Sequence, residues 1–491
     1  MKNKIILNIL PLILITGILF SACKKEEDTV VPKVIPQASE VNNFIYSSLH
    51  DYYLWNKQVP ALSDTKYNKA DSVNAFLNNY TDPQALFKSL LYQPGKVDKW
   101  SFLVDNSKQI DDWISGISET MGYDFMLGRI AQSDTLFGFV RYVYKGSPAE
   151  KAGMKRGDIF VKINDKKLTV SNYNDLLFNT PTYKISFATI NNSRLTPIDK
   201  AYTMTAVQMQ EDPIHMDTVF TFNNQKVGYL VYNGFNADFD NQLNDVFGKF
   251  KAANINQLVL DLRYNGGGSV QTAIYLASMI YSTDQSKVFA VAQYNDELQK
   301  YLEDKYGTSA LKDNFVTNIE PTSAHPTVPI NSLNLQKIYF IVSDNTASAS
   351  ELLINGLRAY MDVKVIGINT VGKYTGSITI KDEDSTGKAI SSWAMQPIVV
   401  KYANSKGVSD FVDGLVPDIK AEEDFAHLMP FGDPNETLLK VALDDMQGIT
   451  VTSQTLKSAK MGLRKIYDSQ QLKRFGKEMY VNPQKFNGLK K

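Results

Sequence analysis

The chain of 491 residues has little from which to build a metal site or a covalent cross-link. It contains a single cysteine, Cys23, so no internal disulfide can form and no thiolate cluster can hold a structural zinc. Its four histidines, His50, His215, His325 and His427, are scattered without HExxH or comparable spacing. Each reads as a surface or core histidine, and no metal or other cofactor is expected. Net charge is also missing, since 52 Lys+Arg balance 52 Asp+Glu. A nucleic-acid binder usually carries a basic excess, so the balance argues against nucleic acid as a partner, and none is expected. Internal repeats are absent. What remains is a globular composition, 43% hydrophobic and 21% charged. At roughly 100–200 residues per domain, the length predicts about three domains.

A long apolar run occurs at the N-terminus. Lys2 and Lys4 precede the apolar stretch Ile5 to Ala22, and the small residues Ser21 and Ala22 stand before Cys23. This is the three-part pattern of a secretory signal peptide. A transmembrane anchor is the alternative, because the run approaches spanning length. The small residues and the adjoining cysteine favour cleavage. The string Phe20-Ser21-Ala22-Cys23 resembles a bacterial lipobox, with Phe20 where an aliphatic residue is usual. That resemblance implies residues 1–22 as a lipoprotein signal peptide and Cys23 as the lipidated first residue of the mature chain. Several acyl chains together would anchor it firmly to a membrane. The implied location is the bacterial cell envelope, at the outer membrane, facing the periplasm or the surface. Residues 23–38, with Lys24-Lys25-Glu26-Glu27-Asp28 and prolines up to Pro36, read as a solvated tether.

Residues 39–113 form a helical region: Val41, Phe44, Ile45, Leu49 and Tyr52 recur at spacings of three and four. From 114 to 208 the pattern changes to short strands, with Phe137 to Tyr144 as one. The stretch Gly146 to Asn164 then reads as a turn, a short helix closing on Gly153, and a further turn at Gly157-Asp158 into a strand. It resembles a PDZ domain. That resemblance places a peptide-binding loop at Gly122, Tyr123, Asp124 and Phe125, with an extended C-terminus captured by strand addition. The alternative is a small β domain that only spaces its neighbours.

Residues 209–448 alternate strand and helix, as an α/β core does. Strands are expected at 227–231, 258–262, 339–342 and 363–368, and Phe239, Leu243, Val246, Phe247 and Phe250 line one helix face. From 449 to 491 the chain is polar, and Thr455 to Lys491 holds ten Lys/Arg against two Asp/Glu. This basic tail reads as a solvated helical face or a loose end.

Three elements of the core carry chemistry. Ser343-Asp344-Asn345-Thr346-Ala347-Ser348-Ala349-Ser350-Glu351 lies at a strand-to-helix turn, where free backbone N–H groups and the positive helix end suit an attack that creates an oxyanion. Taken alone, the hydroxyls read as N-caps. Gly372-Lys373 follows the next strand. A serine needs a base, and a lysine can serve when burial lowers its pKa. The third element, Asp261-Leu262-Arg263-Tyr264-Asn265-Gly266-Gly267-Gly268, puts three glycines after a buried strand, fit to donate backbone N–H to an oxyanion.

Together these elements resemble the C-terminal processing peptidases, also called tail-specific proteases, over roughly residues 118–420. The resemblance implies a ClpP/crotonase-like α/β core joined to a PDZ-like domain. It implies Ser348 as nucleophile, Lys373 as base and Glu351 as the residue that orients the lysine. The oxyanion hole would use Ala349 with Gly266 or Gly267, and Val412-Asp413-Gly414-Leu415-Val416-Pro417-Asp418 resembles a late family motif. The implied activity is serine endopeptidase action on exported or envelope proteins with exposed C-termini. Two rivals remain: a non-catalytic PDZ-containing binding lipoprotein, and a hydrolase that uses Ser348 with a distant histidine.

Overall fold

A computed structural model of the chain describes residues 36–63, 69–130, 133–191, 194–222, 224–322, 325–449, 463–469, 475–481 and 486. Cys23 and the apolar run before it lie outside the described residues.

The N-terminal region is helical, as its periodicity requires. The first helix, Glu40–Tyr52, is capped by Ser39, whose Oγ accepts from the N–H of Asn42 at 3.2 Å. Ile45 and Leu49 on its inner face are fully buried.

The small β domain is a sheet in the order Tyr123–Ile130, Leu136–Val143, Ile159–Ile163, Thr182–Asn191 and Arg194–Thr205, every pairing antiparallel. Two short helices complete it, Pro148–Ala152 and Tyr173–Phe178. The first closes on Gly153, whose φ of +88° is the left-handed conformation that lets a helix end without strain.

The core is a six-stranded sheet in the order Ile214–Phe222, Gln225–Tyr232, Gln257–Asp261, Lys337–Val342, Asp362–Gly367 and Ile419–Lys420. The first pairing is antiparallel and the rest are parallel. Alternation along the strands sends side chains to two faces. Leu258, Leu260, Ile338 and Phe340 pack with the helices Asp240–Ala252, Val270–Ile280 and Ala349–Leu357. Val259, Tyr339 and Ile341 pack with the helix Thr437–Met446. Both faces are covered, which is why these strands are near-continuous apolar runs. A second mixed sheet, from Gly268–Ser269 through Met479–Tyr480, Thr375–Ser377, Ile398–Asn404 and Val288–Gln293 to Lys312–Asn314, lies beside the core.

The C-terminal segment departs from the expectation of a solvated helical face or a loose end. Its described parts are strands: Leu463–Asp468 pairs antiparallel with Tyr123–Ile130, and Met479–Tyr480 pairs with Gly268–Ser269 and Thr375–Ser377. Sheet edges offer unpaired backbone groups to any extended segment, whatever its side-chain composition.

Candidate active site

The turn after strand Lys337–Val342 is stitched to the glycine loop after strand Gln257–Asp261. Thr346 Oγ1 donates to the carbonyl of Leu262 at 2.8 Å, the N–H of Ala347 to that of Asn265 at 3.1 Å, and Ser350 Oγ to the same Asn265 oxygen at 3.2 Å. These bonds bring Ser348 against Gly267, where an added Cβ would stand 2.6 Å from Ser348 Cβ. Only glycine permits that approach. Ser348 itself is fully buried and holds φ +66°, ψ −116°, a strained setting for a residue with a side chain. Its Oγ makes no hydrogen bond among the described residues. Ala349 begins the helix that follows, so its N–H has no intrahelical acceptor.

Glu351 is fully buried one turn along that helix. Its carboxylate accepts the N–H groups of Ser348 and Lys373, each at 2.8 Å, the N–H of Gly372 at 2.7 Å and the hydroxyl of Thr370. It therefore ties the lysine loop to the serine turn through backbone groups. Burial pushes its carboxyl above the usual range, against those donors. Lys373 is buried as well, its Nζ 4.8 Å from the centre of the Trp100 ring and paired with Glu478. Desolvation lowers the amine below the ordinary lysine range, and Glu478 opposes that shift.

The loop that carries Lys373 is braced from behind by the late motif. Gly372 has φ +89°, and an added Cβ would stand 2.4 Å from the carbonyl oxygen of Val412. Gly414 backs onto Thr370 in the same way, at 2.0 Å from its oxygen. The N–H of Leu415 donates to Thr370 Oγ1 at 2.7 Å. The Asp261–Arg263 pair of the glycine-loop string is a buried scaffold: Arg263 also binds Glu423 at 2.8 Å and Glu436 at 2.7 Å. A cavity of about 510 Å³ opens beside the glycine loop, bounded by Trp113, Phe235, Gly267, Phe475, Glu478 and Tyr480.

The structure thus gathers Ser348, Ala349, Glu351, Lys373, Gly266 and Gly267 at one place. The residues Gly122 to Phe125 divide. Tyr123 is a core residue whose hydroxyl meets that of Tyr183, and Asp124 is buried on Arg141 at 2.5 Å. Phe125 is a core residue like Tyr123, its ring packed near those of Tyr123, Phe160, Phe178 and Tyr467. Sequence reasoning missed Glu478 and Trp100 altogether. Neither sits in a motif, and each reaches Lys373 from a distant part of the chain.

A buried hydroxyl in a strained turn, a helix N-terminus, close glycines and a desolvated amine are the parts of a serine hydrolase site. Comparison with known proteins bears on the class directly. Residues 226–421 match peptidase family S41, residues 40–102 the peptidase S41 N-terminal domain, and residues 139–178 a PDZ domain. The chain belongs to the S41 peptidases and carries a PDZ domain. The carboxy-terminal processing protease CtpA of Bacillus subtilis is 26% identical over 347 residues, which cover 69% of this chain and 64% of that protein. The crystal structure of a protein assigned to the S41 proteases, from Bacteroides fragilis, superposes with a TM-score of 0.67 at 26% identity, covering 86% of this chain and all of that one.

Proposed function

We propose that this protein is a serine endopeptidase that cleaves exported or envelope proteins near their C-termini, with Ser348 as nucleophile and Lys373 as general base. The observation that carries this reading is the buried Ser348 Oγ, held without a hydrogen bond at a helix N-terminus and against Gly267. In the proposed reaction, neutral Lys373 takes the hydroxyl proton as Ser348 attacks a peptide carbonyl. The N–H of Ala349, with that of Gly266 or Gly267, receives the oxyanion. The amine leaves with the proton, and water releases the acyl group by the same route. Glu351 is a positioning residue that sets the lysine loop. The PDZ domain would hold the substrate tail by strand addition. Cys23 would tether the mature chain to an envelope membrane through lipid, which metabolic labelling with a fatty acid would test against Cys23→Ala.

The deciding experiment is digestion of an unfolded protein with an apolar C-terminus by the chain lacking residues 1–23, beside Ser348→Ala and Lys373→Ala in the same form. Cleavage by the parent alone is the expected result. Equal cleavage by Lys373→Ala would remove the lysine as base and return weight to a histidine. Binding of the substrate without cleavage by any form would favour the non-catalytic binding reading.

A further inference from the structure

The described parts of the C-terminal segment run along the edge of the PDZ sheet and then past the candidate active site. Its first strand, Leu463–Asp468, adds to the open edge of the PDZ sheet, with Leu463 opposite Ile130 and Tyr467 opposite Leu127. The Tyr467 ring enters the slot between that strand and the helix Tyr173–Phe178, 5.3 Å from the ring of Tyr173, 5.6 Å from Phe178 and 6.4 Å from Phe125. Main-chain pairing plus one side chain in a slot is how an extended peptide is recognised at a sheet edge.

The same segment then crosses the candidate active site. Phe475 stacks on Phe102 at 3.8 Å, and the carbonyl of Gly476 lies so close to Gly266 that a Cβ there would stand 1.7 Å from it. The Glu478 carbonyl is 2.8 Å from the place of a Cβ on Gly267, and the Glu478 side chain holds Lys373 Nζ. Met479–Tyr480 continues beside Gly268–Ser269. Between Thr455 and Lys491 there are ten basic and two acidic residues, and both acids lie on buried cations. Asp468 takes Arg141, its Oδ1 at 2.5 Å from Nη2 and its Oδ2 at 2.8 Å from Nη1, while Glu478 takes Lys373.

We propose that residues 463–469 and 475–481 are resident ligands of this chain's own substrate track, the first in the PDZ slot and the second across Ser348 and Lys373, and that a substrate must displace them. The inference rests on the peptidase reading above. It names the class of substrate as an extended segment with an aromatic side chain for the slot of Tyr467, and without a carboxylate where Glu478 sits. While Glu478 holds the amine, Lys373 Nζ is engaged by a carboxylate and is not free to take the proton of Ser348.

The test locks the segment in place. Arg129 and Arg464 are directly opposite in the ladder, and opposed residues of an antiparallel pair have the Cα separation a disulfide needs. Arg129→Cys with Arg464→Cys, in the otherwise full chain carrying Cys23→Ser, leaves these as the only thiols. We expect the disulfide to form, the oxidised protein to cleave an unfolded substrate about tenfold or more slowly than the reduced one, and Glu478→Gln to cleave faster than wild type. Failure of the pair to cross-link would overturn the docking. Cross-linking with equal oxidised and reduced rates would overturn the displacement. Cross-linking with no cleavage by the reduced form or by wild type would sink the peptidase reading, and the displacement with it, while leaving the docking supported.

Discussion

Replacing Glu351 by glutamine asks how much of the proposed activity depends on one buried carboxylate. The residue keeps its shape and loses one acceptor oxygen. In the structure both oxygens are fully used, Oε2 by the N–H groups of Ser348 and Lys373 and Oε1 by the N–H of Gly372 and the hydroxyl of Thr370. The amide nitrogen is best accommodated on the Oε1 side, because the Thr370 hydroxyl can rotate to accept from it. The Gly372 N–H cannot rotate and loses its partner. A buried donor left unsatisfied costs about 1–3 kcal/mol. If that cost falls on the lysine loop in its working position, the loss in kcat is roughly 5- to 150-fold. The effect should fall mainly on kcat, since the four donors to Glu351 all belong to the serine turn and the lysine loop. The assay is steady-state cleavage of a peptide substrate, with thermal unfolding measured in parallel to separate a displaced loop from an unfolded protein. Wild-type kcat in Glu351→Gln would refute the claim that the carboxylate sets the lysine.

Two further outcomes follow from the same geometry. Glu478 pulls the Lys373 amine upward against burial. In the proposed mechanism the neutral amine is the base and forms as pH rises through its pKa, so Glu478→Gln should move the rising limb of the pH–rate profile to lower pH; an unmoved limb would deny the pairing. Gly372→Ala and Gly387→Ala both force alanine into a left-handed backbone, φ +89° and +83°, at about 1–2 kcal/mol each. Only the first would also meet an oxygen, 2.4 Å away on Val412, so it alone should lower cleavage beyond its effect on melting temperature, and equal activities would show that the brace behind Lys373 is unimportant.

Much of this site is legible along the chain because its parts are local strings. A buried strand that ends in hydroxyls and opens a helix announces the Ser348 turn, and three successive glycines announce a close backbone approach. The strands at 227–231, 258–262, 339–342 and 363–368 are found within a residue or two at each end, because parallel strands covered on both faces must be apolar throughout. The tail was not legible for the opposite reason. Leu463–Asp468 is held mainly by backbone pairing at an edge, which leaves no periodic signature, and its polar residues look solvated until Arg141 is placed beside Asp468. Glu478 is 105 positions from Lys373 and Trp100 further still, so no window of sequence contains either pair. The role of Glu351 was legible in position but not in kind, since only the fold shows that it binds the N–H of Lys373 rather than its amine.

Arg141 and Asp468 place the PDZ slot in physical contact with the turn that carries Ser348. Arg141 is fully buried between Asp124 of the docking strand and Asp468 of the tail, and its guanidinium lies 4.7 Å from the ring of Tyr264 in the glycine-loop string. Asp468 also accepts from Asn345 Nδ2 at 2.9 Å, and Asn345 stands three residues before Ser348. Removing one partner of a buried ion pair typically costs about 3–5 kcal/mol, so a ligand that vacates the slot without supplying a carboxylate leaves Arg141 and Asn345 to re-form their bonds elsewhere. A ligand that does supply one restores both. Displacing Asp468 therefore breaks a hydrogen bond to the turn that carries Ser348, and any coupling of slot and turn made through that bond is reciprocal by linkage.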